Sequence, residues 1–184
     1  SCLFGTAATE MGRFYNLPVE ASGMGTDRHN PSIQTGYQRA MNGLLPVLAW
    51  PDILLGPGLL GGSMILCLEE LIIDVEIFRL SVQAQYGIAT DADKWLDDVI
   101  SRVGPGGHFL LEKSTLAGIQ AEEWYISRLG HKSVEKGDGA AKLPLVEEAR
   151  QKVQEILATH QPLPLPAEVD RELARIEKYA QASS

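Results

Sequence analysis

Apolar residues along the chain recur at helical spacing in some stretches and cluster into short runs in others, and the two rhythms alternate. Residues 6–16 (TAATEMGRFYN) have helical spacing, with Thr6 placed as an N-cap and Met11, Phe14 and Tyr15 on one face. Residues 17–21 are too few for a helix, and Pro18 is tolerated at a strand start or edge, so a short strand is predicted there. After a loop, Pro31 fits the first turn of a helix over 32–49, with Ile33, Tyr37, Met41, Leu44 and Leu48 as its apolar stripe and Pro46 kinking its last turn. Residues 51–56 predict a second buried strand running into Gly56-Pro57-Gly58 and Gly61-Gly62.

The second half of the pattern is helical. Over 63–86 the spacing places Leu68, Leu71, Ile72, Val75, Phe78 and Val82 on one face and Glu69, Glu70 and Asp74 on the other, with Gly87 as the stop. Those acids therefore read as the solvated face of an outer helix. Residues 91–103 predict another helix, capped by Thr90 or Asp91 and ended by Gly104. Residues 113–128 have no clean period, and 137–139 (Gly-Asp-Gly) read as a turn. Residues 143–160 and 167–181 predict two final amphipathic helices, joined by a stiff Pro-rich connector at 161–166. Helix, strand, helix, strand, helix is the rhythm of an α/β fold with a parallel sheet. Two strands are too few for a covered parallel sheet, so the chain is expected to be part of something larger, a C-terminal fragment. Its start at Ser1 rather than Met is read as processing or truncation.

Composition changes this picture little but narrows the function. The chain has 184 residues, 45% apolar and 22% charged, ordinary values for a globular domain. A net charge of -8 without a Lys/Arg cluster argues against nucleic acid or an anionic membrane surface as partner. Cys2 and Cys67 stand far apart without companion ligands, so neither a disulfide framework nor a metal site is expected, and Cys67 reads as a small core residue. No apolar run is long enough to span a membrane, because Glu69, Glu70, Asp74 and Glu76 interrupt the longest, and a cytoplasmic protein is expected.

The stretch with the most chemistry is PVEASGMGTDRHNP, residues 18–31. Gly23 and Gly25 let the backbone take unusual conformations or approach a ligand, and Asp27 and His29 fall where strand gives way to helix, the place where α/β folds keep their sites. Glu122-Glu123 with Trp124 and Tyr125 form a candidate partner surface. The Gly-rich turns match neither G-x-G-x-x-G nor G-x-x-x-x-G-K-[ST], which disfavours a nucleotide or phosphate module.

Five ordered blocks resemble the trimethylamine methyltransferase family, a (β/α)8-barrel group that includes glycine betaine methyltransferases: MGRFYNLPVEASGMGTD, GYQRAMNGLLPVLAWPDILLGPGLL, LEELIIDVEIFR, GGHFLLEKSTL and the helix before Pro162. The resemblance implies the C-terminal part of a TIM barrel, with residues 1–90 supplying its final β/α units and 91–184 a helical region packed on it. It implies transfer of a methyl group from a methylated or quaternary amine to the cobalt of a corrinoid carried by a separate protein. Trimethylamine-specific members carry a pyrrolysine in the barrel, and none stands in this sequence.

Displacement at a methyl carbon asks the protein to hold the cation, exclude water and align the donor, and it needs no acid for a neutral amine leaving group. A cationic head favours aromatic faces or a carboxylate, while a betaine carboxylate favours N–H groups or a cation. Asp27 is the local carboxylate for that head, with His29, Gln34 and Tyr37 as the other substrate-binding candidates. Gly56, Gly58, Gly61 and His108 are the corrinoid-facing candidates, and Gly62 shares the glycines' rationale that a flat macrocycle can approach bare backbone. No catalytic side chain is assigned. Exposed apolar strand edges predict association, and a homo-oligomer is expected. The alternative is a non-catalytic barrel fragment or degenerate homologue acting as a self-association or partner-binding module.

Overall fold

The computed structural model describes residues 2–121, 123, 125–130 and 144–182. The sequence-predicted turn at 137–139, and Glu122 and Trp124 of the candidate partner surface, lie outside the described residues. The chain is α/β. It divides into two compact units, one up to Val153 and one from Gln154 onward.

In the first unit α1 (Cys2–Phe14) leads into β1 (Glu20–Ser22), α2 (Ile33–Leu48) and β2 (Ile53–Leu55). β1 and β2 are parallel, with Glu20 opposite Ile53, Ala21 opposite Leu54 and Ser22 opposite Leu55. A parallel pair needs a crossover, and α2 is that crossover. Gly12 lets the pair sit close under α1, since a Cβ there would lie 2.3 Å from Cγ2 of Val19. At the far end of the pair the Gly23 N–H donates to the Leu55 carbonyl, and a Cβ on Gly56 (φ +114°) would lie 2.1 Å from the Gly23 oxygen. Only glycine fits that meeting of backbones. Asp52 ties the near end by accepting the Val19 N–H at 2.7 Å.

β3 (Leu59–Leu60) and β4 (Ile65–Leu66) then form a small antiparallel hairpin, and α3 (Leu68–Tyr86) follows. The helix predicted from residue 63 therefore starts five residues later, because 65–66 pair with β3 instead. Beyond Gly87, a 3₁₀ turn at Ala92–Lys94 precedes α4 (Asp97–Val103). One continuous helix over 91–103 is not formed, as Leu96 adopts the left-handed conformation (φ 53°) between the two pieces. Residues without a clean period do contain a helix, α5 (Lys113–Gln120). α6 (Leu145–Thr159) carries buried Ala149 and Val153 and passes into the second unit, where residues 160–166 join it to α7 (Ala167–Ala182).

Two helix starts follow the capping chemistry differently. Ser32 caps α2, its side chain accepting the Thr35 N–H at 3.2 Å, with Pro31 just outside the helix. Thr6 is not a cap. It lies inside α1 and donates to the Cys2 carbonyl at 2.9 Å.

The apolar stripes face outward more than their period suggests. On α2, Ile33 is 92% exposed and Tyr37, Met41 and Leu48 are also exposed, while Thr35, Arg39, Gly43, Pro46 and Val47 are buried. On α3, Leu68, Val75 and Phe78 are exposed, and Glu70, Asp74, Glu76 and Ser81 are buried. The two helices pack on each other through their polar and small positions. Met24, wholly buried and left-handed (φ 52°), fills the gap opposite Gly43. The described strands form two two-stranded sheets rather than a closed barrel.

Candidate functional site

An open cavity of about 690 Å³ lies at the C-terminal end of β1. Its lining brings together Ser22 at the end of β1, Thr26 and Asp27 after it, Tyr37, Gln38, Met41 and Asn42 from α2, Phe4 from α1, and Gly62 and Ser63 from the β3–β4 turn. Parallel α/β units place strand ends and loop residues there, so the lining follows from the topology.

The loop is held by hydrogen bonds from both sides. Thr26 Oγ1 donates to Gln38 Oε1 at 2.7 Å and accepts the Arg28 N–H at 3.2 Å. Asn42 Nδ2 donates to the Gly25 carbonyl at 2.9 Å. From the hairpin, the Gly61 and Gly62 N–H groups donate to the Arg28 and Thr26 carbonyls at 2.7 and 3.0 Å. Asp27 therefore projects from a loop whose neighbours are fixed on both flanks.

Of the substrate-binding candidates, Asp27 and Tyr37 share this lining. Gln34 and His29 are exposed and outside it, and the His29 ring packs over Gly61, where a Cβ would lie 2.6 Å from it. Gln38 and Asn42, which the sequence pattern does not single out, are the α2 side chains that anchor the loop. Their spacing, i and i+4 beginning one residue after Tyr37, was the available signal.

The glycines expected to face a corrinoid differ in what fronts them. A Cβ on Gly58 would meet Leu71, Leu66 and the Cys67 carbonyl, and those on Gly56 and Gly61 would meet Gly23 and His29. The chain's own atoms fill all three spaces. Gly62 (φ +63°) has nothing within 4 Å of that position, so its backbone is the one open to a flat ring. His108 is exposed and lines neither this cavity nor a second one of about 740 Å³ between α3 and α5.

Beneath the hairpin lies an ionic cluster. Arg39, wholly buried, sends Nη1 to Asp74 Oδ2, Nη2 to the Leu59 carbonyl and Nε to within 3.0 Å of Glu70 Oε1. Asp74 Oδ2 also accepts the Gly58 N–H at 2.6 Å. Glu70 and Asp74 are 2% and 0% exposed, so the expectation of a solvated acidic face is corrected for these two. A guanidinium from α2 makes their burial tolerable. Glu69, half-buried, keeps its outward role and pairs with Arg150 at 3.0 Å. Two carboxyls share one cation, and Glu70 Oε2 and Asp74 Oδ1 have no hydrogen-bond partner. Burial raises the Glu70 carboxyl above its usual range and pushes Asp74 up to about 7, against the opposing pull of the Gly58 N–H and Arg39.

The family model for trimethylamine methyltransferase (MTTB) matches residues 2–182. The chain belongs to the trimethylamine methyltransferase family. It is 31% identical over 178 residues to trimethylamine methyltransferase MttB of Methanosarcina barkeri, covering 95% of this chain and 35% of that protein. It is 32% identical over 172 residues to glycine betaine methyltransferase of Desulfitobacterium hafniense, covering 93% of this chain and 36% of that protein. The chain thus spans about a third of the length of the curated relatives it matches. Among the described residues, no helix is long and apolar enough to cross a membrane.

Proposed function

We propose that this chain supplies the C-terminal part of a (β/α)8-barrel methyltransferase that takes a methyl group from a methylated or quaternary amine. The observation that carries this reading is the shared lining of Asp27, Tyr37 and Phe4 in one cavity at the end of a parallel strand pair. A carboxylate and two aromatic rings suit a tetrahedral ammonium, whose charge is spread over methyl groups and is attracted by ring faces as well as by an anion. The names of the relatives support the substrate class, and the two-strand parallel unit with its covering helices supports the barrel.

Within that reading Asp27 holds the cation while Tyr37 and Phe4 pack against its methyl groups. Gln38 and Asn42 keep the loop in place, and Gly62 leaves room at the cavity edge. The methyl acceptor is the cobalt(I) centre of a corrinoid borne by a partner protein, which supplies the nucleophile. Of the expected corrinoid-facing set His108 is exposed, and Gly62, beside that set, leaves its backbone open.

Titration calorimetry of this chain with trimethylammonium and with glycine betaine tests the reading. Binding that Asp27→Ala abolishes is expected, and binding that Asp27→Ala leaves unchanged would overturn the site. The exposed stripe Ile33, Tyr37, Met41 and Leu48 favours a second reading, association through α2 with another copy or another part of a barrel. Sedimentation velocity of the wild type against Ile33→Ser separates it: a monomer in both removes self-association.

A further inference from the structure

We propose that the buried Arg39–Glu70–Asp74 cluster is a positioning device for the candidate cavity, fixing the β3–β4 hairpin as the wall that carries Gly62 and Ser63. This inference rests on the amine-binding reading of that cavity. The route is short and continuous. Asp74 accepts the Gly58 N–H and Arg39 donates to the Leu59 carbonyl, so both groups hold backbone rather than side chain. One residue on, Leu60 is 1% exposed, and Gly61 and Gly62 then donate to the carbonyls of Arg28 and Thr26 on either side of Asp27. Backbone contacts therefore connect the cluster to the loop that projects Asp27.

Arg39 also stands one residue from Gln38 and two from Tyr37 on α2. Turned to the core, it registers α2 against α3 and the hairpin at a single point, while its neighbours face the cavity.

A role in stability alone accounts poorly for the chemistry chosen. Burying two carboxyls on one guanidinium, with two oxygens unpartnered, is a poor way to stabilise a helix pair, and apolar replacements of similar volume are commonly neutral or stabilising. What apolar side chains cannot supply is an acceptor for the Gly58 N–H and a donor for the Leu59 carbonyl. Gly56 and Gly58 have positive φ, and Gly58 has no side chain of its own to lock the turn. External hydrogen bonds therefore set where the hairpin begins.

The test compares the wild-type chain, Asp74→Asn, and the combined Arg39→Met, Glu70→Leu, Asp74→Leu variant. Amide hydrogen exchange at residues 58–62 and titration with tetramethylammonium are the readouts. The combined variant is expected to keep a Tm at or above wild type, to exchange its hairpin amides at least about tenfold faster, and to bind the ammonium about tenfold more weakly. Asp74→Asn keeps the acceptor for Gly58 and should stay near wild type on both. Unchanged hairpin exchange in the combined variant would overturn the proposal. So would loss of α2 and α3 protection together with that of the hairpin, since the cluster would then be a structural staple only. If wild type binds no ammonium while the hairpin amides respond as expected, the amine reading falls and the positioning of the hairpin stands.

Discussion

Two acids on α3, separated by one residue, are both taken out of water, and their environments push them in opposite directions. Asp74 meets one buried guanidinium and one N–H through a single oxygen, and its other oxygen has no hydrogen-bond partner. Burial wins, and its carboxyl rises to about 7. Burial also acts to raise Glu76, but Glu76 Oε2 accepts from Tyr125 Oη at 2.5 Å, Ser127 Oγ at 2.8 Å and the Arg128 N–H at 3.0 Å, with Arg79 nearby, and its carboxyl is held below the usual range. One guanidinium and one N–H do not offset the burial of Asp74. Depth of burial and the number of donors aimed at the carboxylate together set the sign.

Arg39→Met leaves Glu70 and Asp74 buried without their cation. A loss of about 3–5 kcal/mol is expected in urea unfolding, because an uncompensated buried charge remains. Next in size is the pH dependence. Asp74 in the folded chain holds its proton up to about 7, against a usual value of 3.8, so between these limits the native state binds more protons than the unfolded state. The stability this confers is full below about pH 4 and is lost as pH rises through 7, a decline on the order of 2–4 kcal/mol. Asp74→Asn should flatten that slope in unfolding curves taken from pH 4 to 8; an unchanged slope would assign it to another group.

Glu76→Gln sharpens the other half. An amide oxygen still accepts from these donors, more weakly than a carboxylate, and the amide –NH2 that replaces Oε1 is a donor facing Arg79, so a smaller loss of about 1–2 kcal/mol is expected. Since the folded Glu76 carboxyl lies below its ordinary 4.5, its contribution is present above that pH and lost as pH falls, opposite in sign to Asp74. The same substitution should raise hydrogen exchange at residues 125–128, which Glu76 tethers to α3.

Much of the local structure was legible. The strand runs, the crossover helix, the stop at Gly87 and the end of α4 at Gly104 follow from spacing and turn chemistry. Helical period showed that Glu70 and Asp74 share a face, but whether water or an arginine covers that face depends on Arg39, 35 residues earlier in the case of Asp74. The signal was Arg39, the one charged residue of α2, standing between Tyr37 and Met41. The β3–β4 hairpin was hidden for a different reason: strands of two residues carry no period, and Leu59-Leu60 and Ile65-Leu66 read only as apolar pairs around Gly61-Gly62. In the candidate site, Asp27 was marked by its place after a strand, whereas Gln38 and Asn42 act by hydrogen bonds to a loop whose path no local rule supplies.

Asp27 differs from both acids of α3 in its place, on a loop that lines the cavity. It is exposed, and the hydrogen bonds that shape its loop run through Thr26, Arg28 and Gly25 rather than through its own side chain. Asp27→Asn keeps size and shape, so unfolding free energy should stay within about 0.5 kcal/mol of wild type. Its effect belongs to ligand charge: affinity for tetramethylammonium should fall about tenfold, and the loss should shrink as salt screens the exposed pair. A change in stability comparable to that of Glu76→Gln would mean that Asp27 shapes the loop; an unchanged affinity would mean that the aromatic rings alone hold the cation.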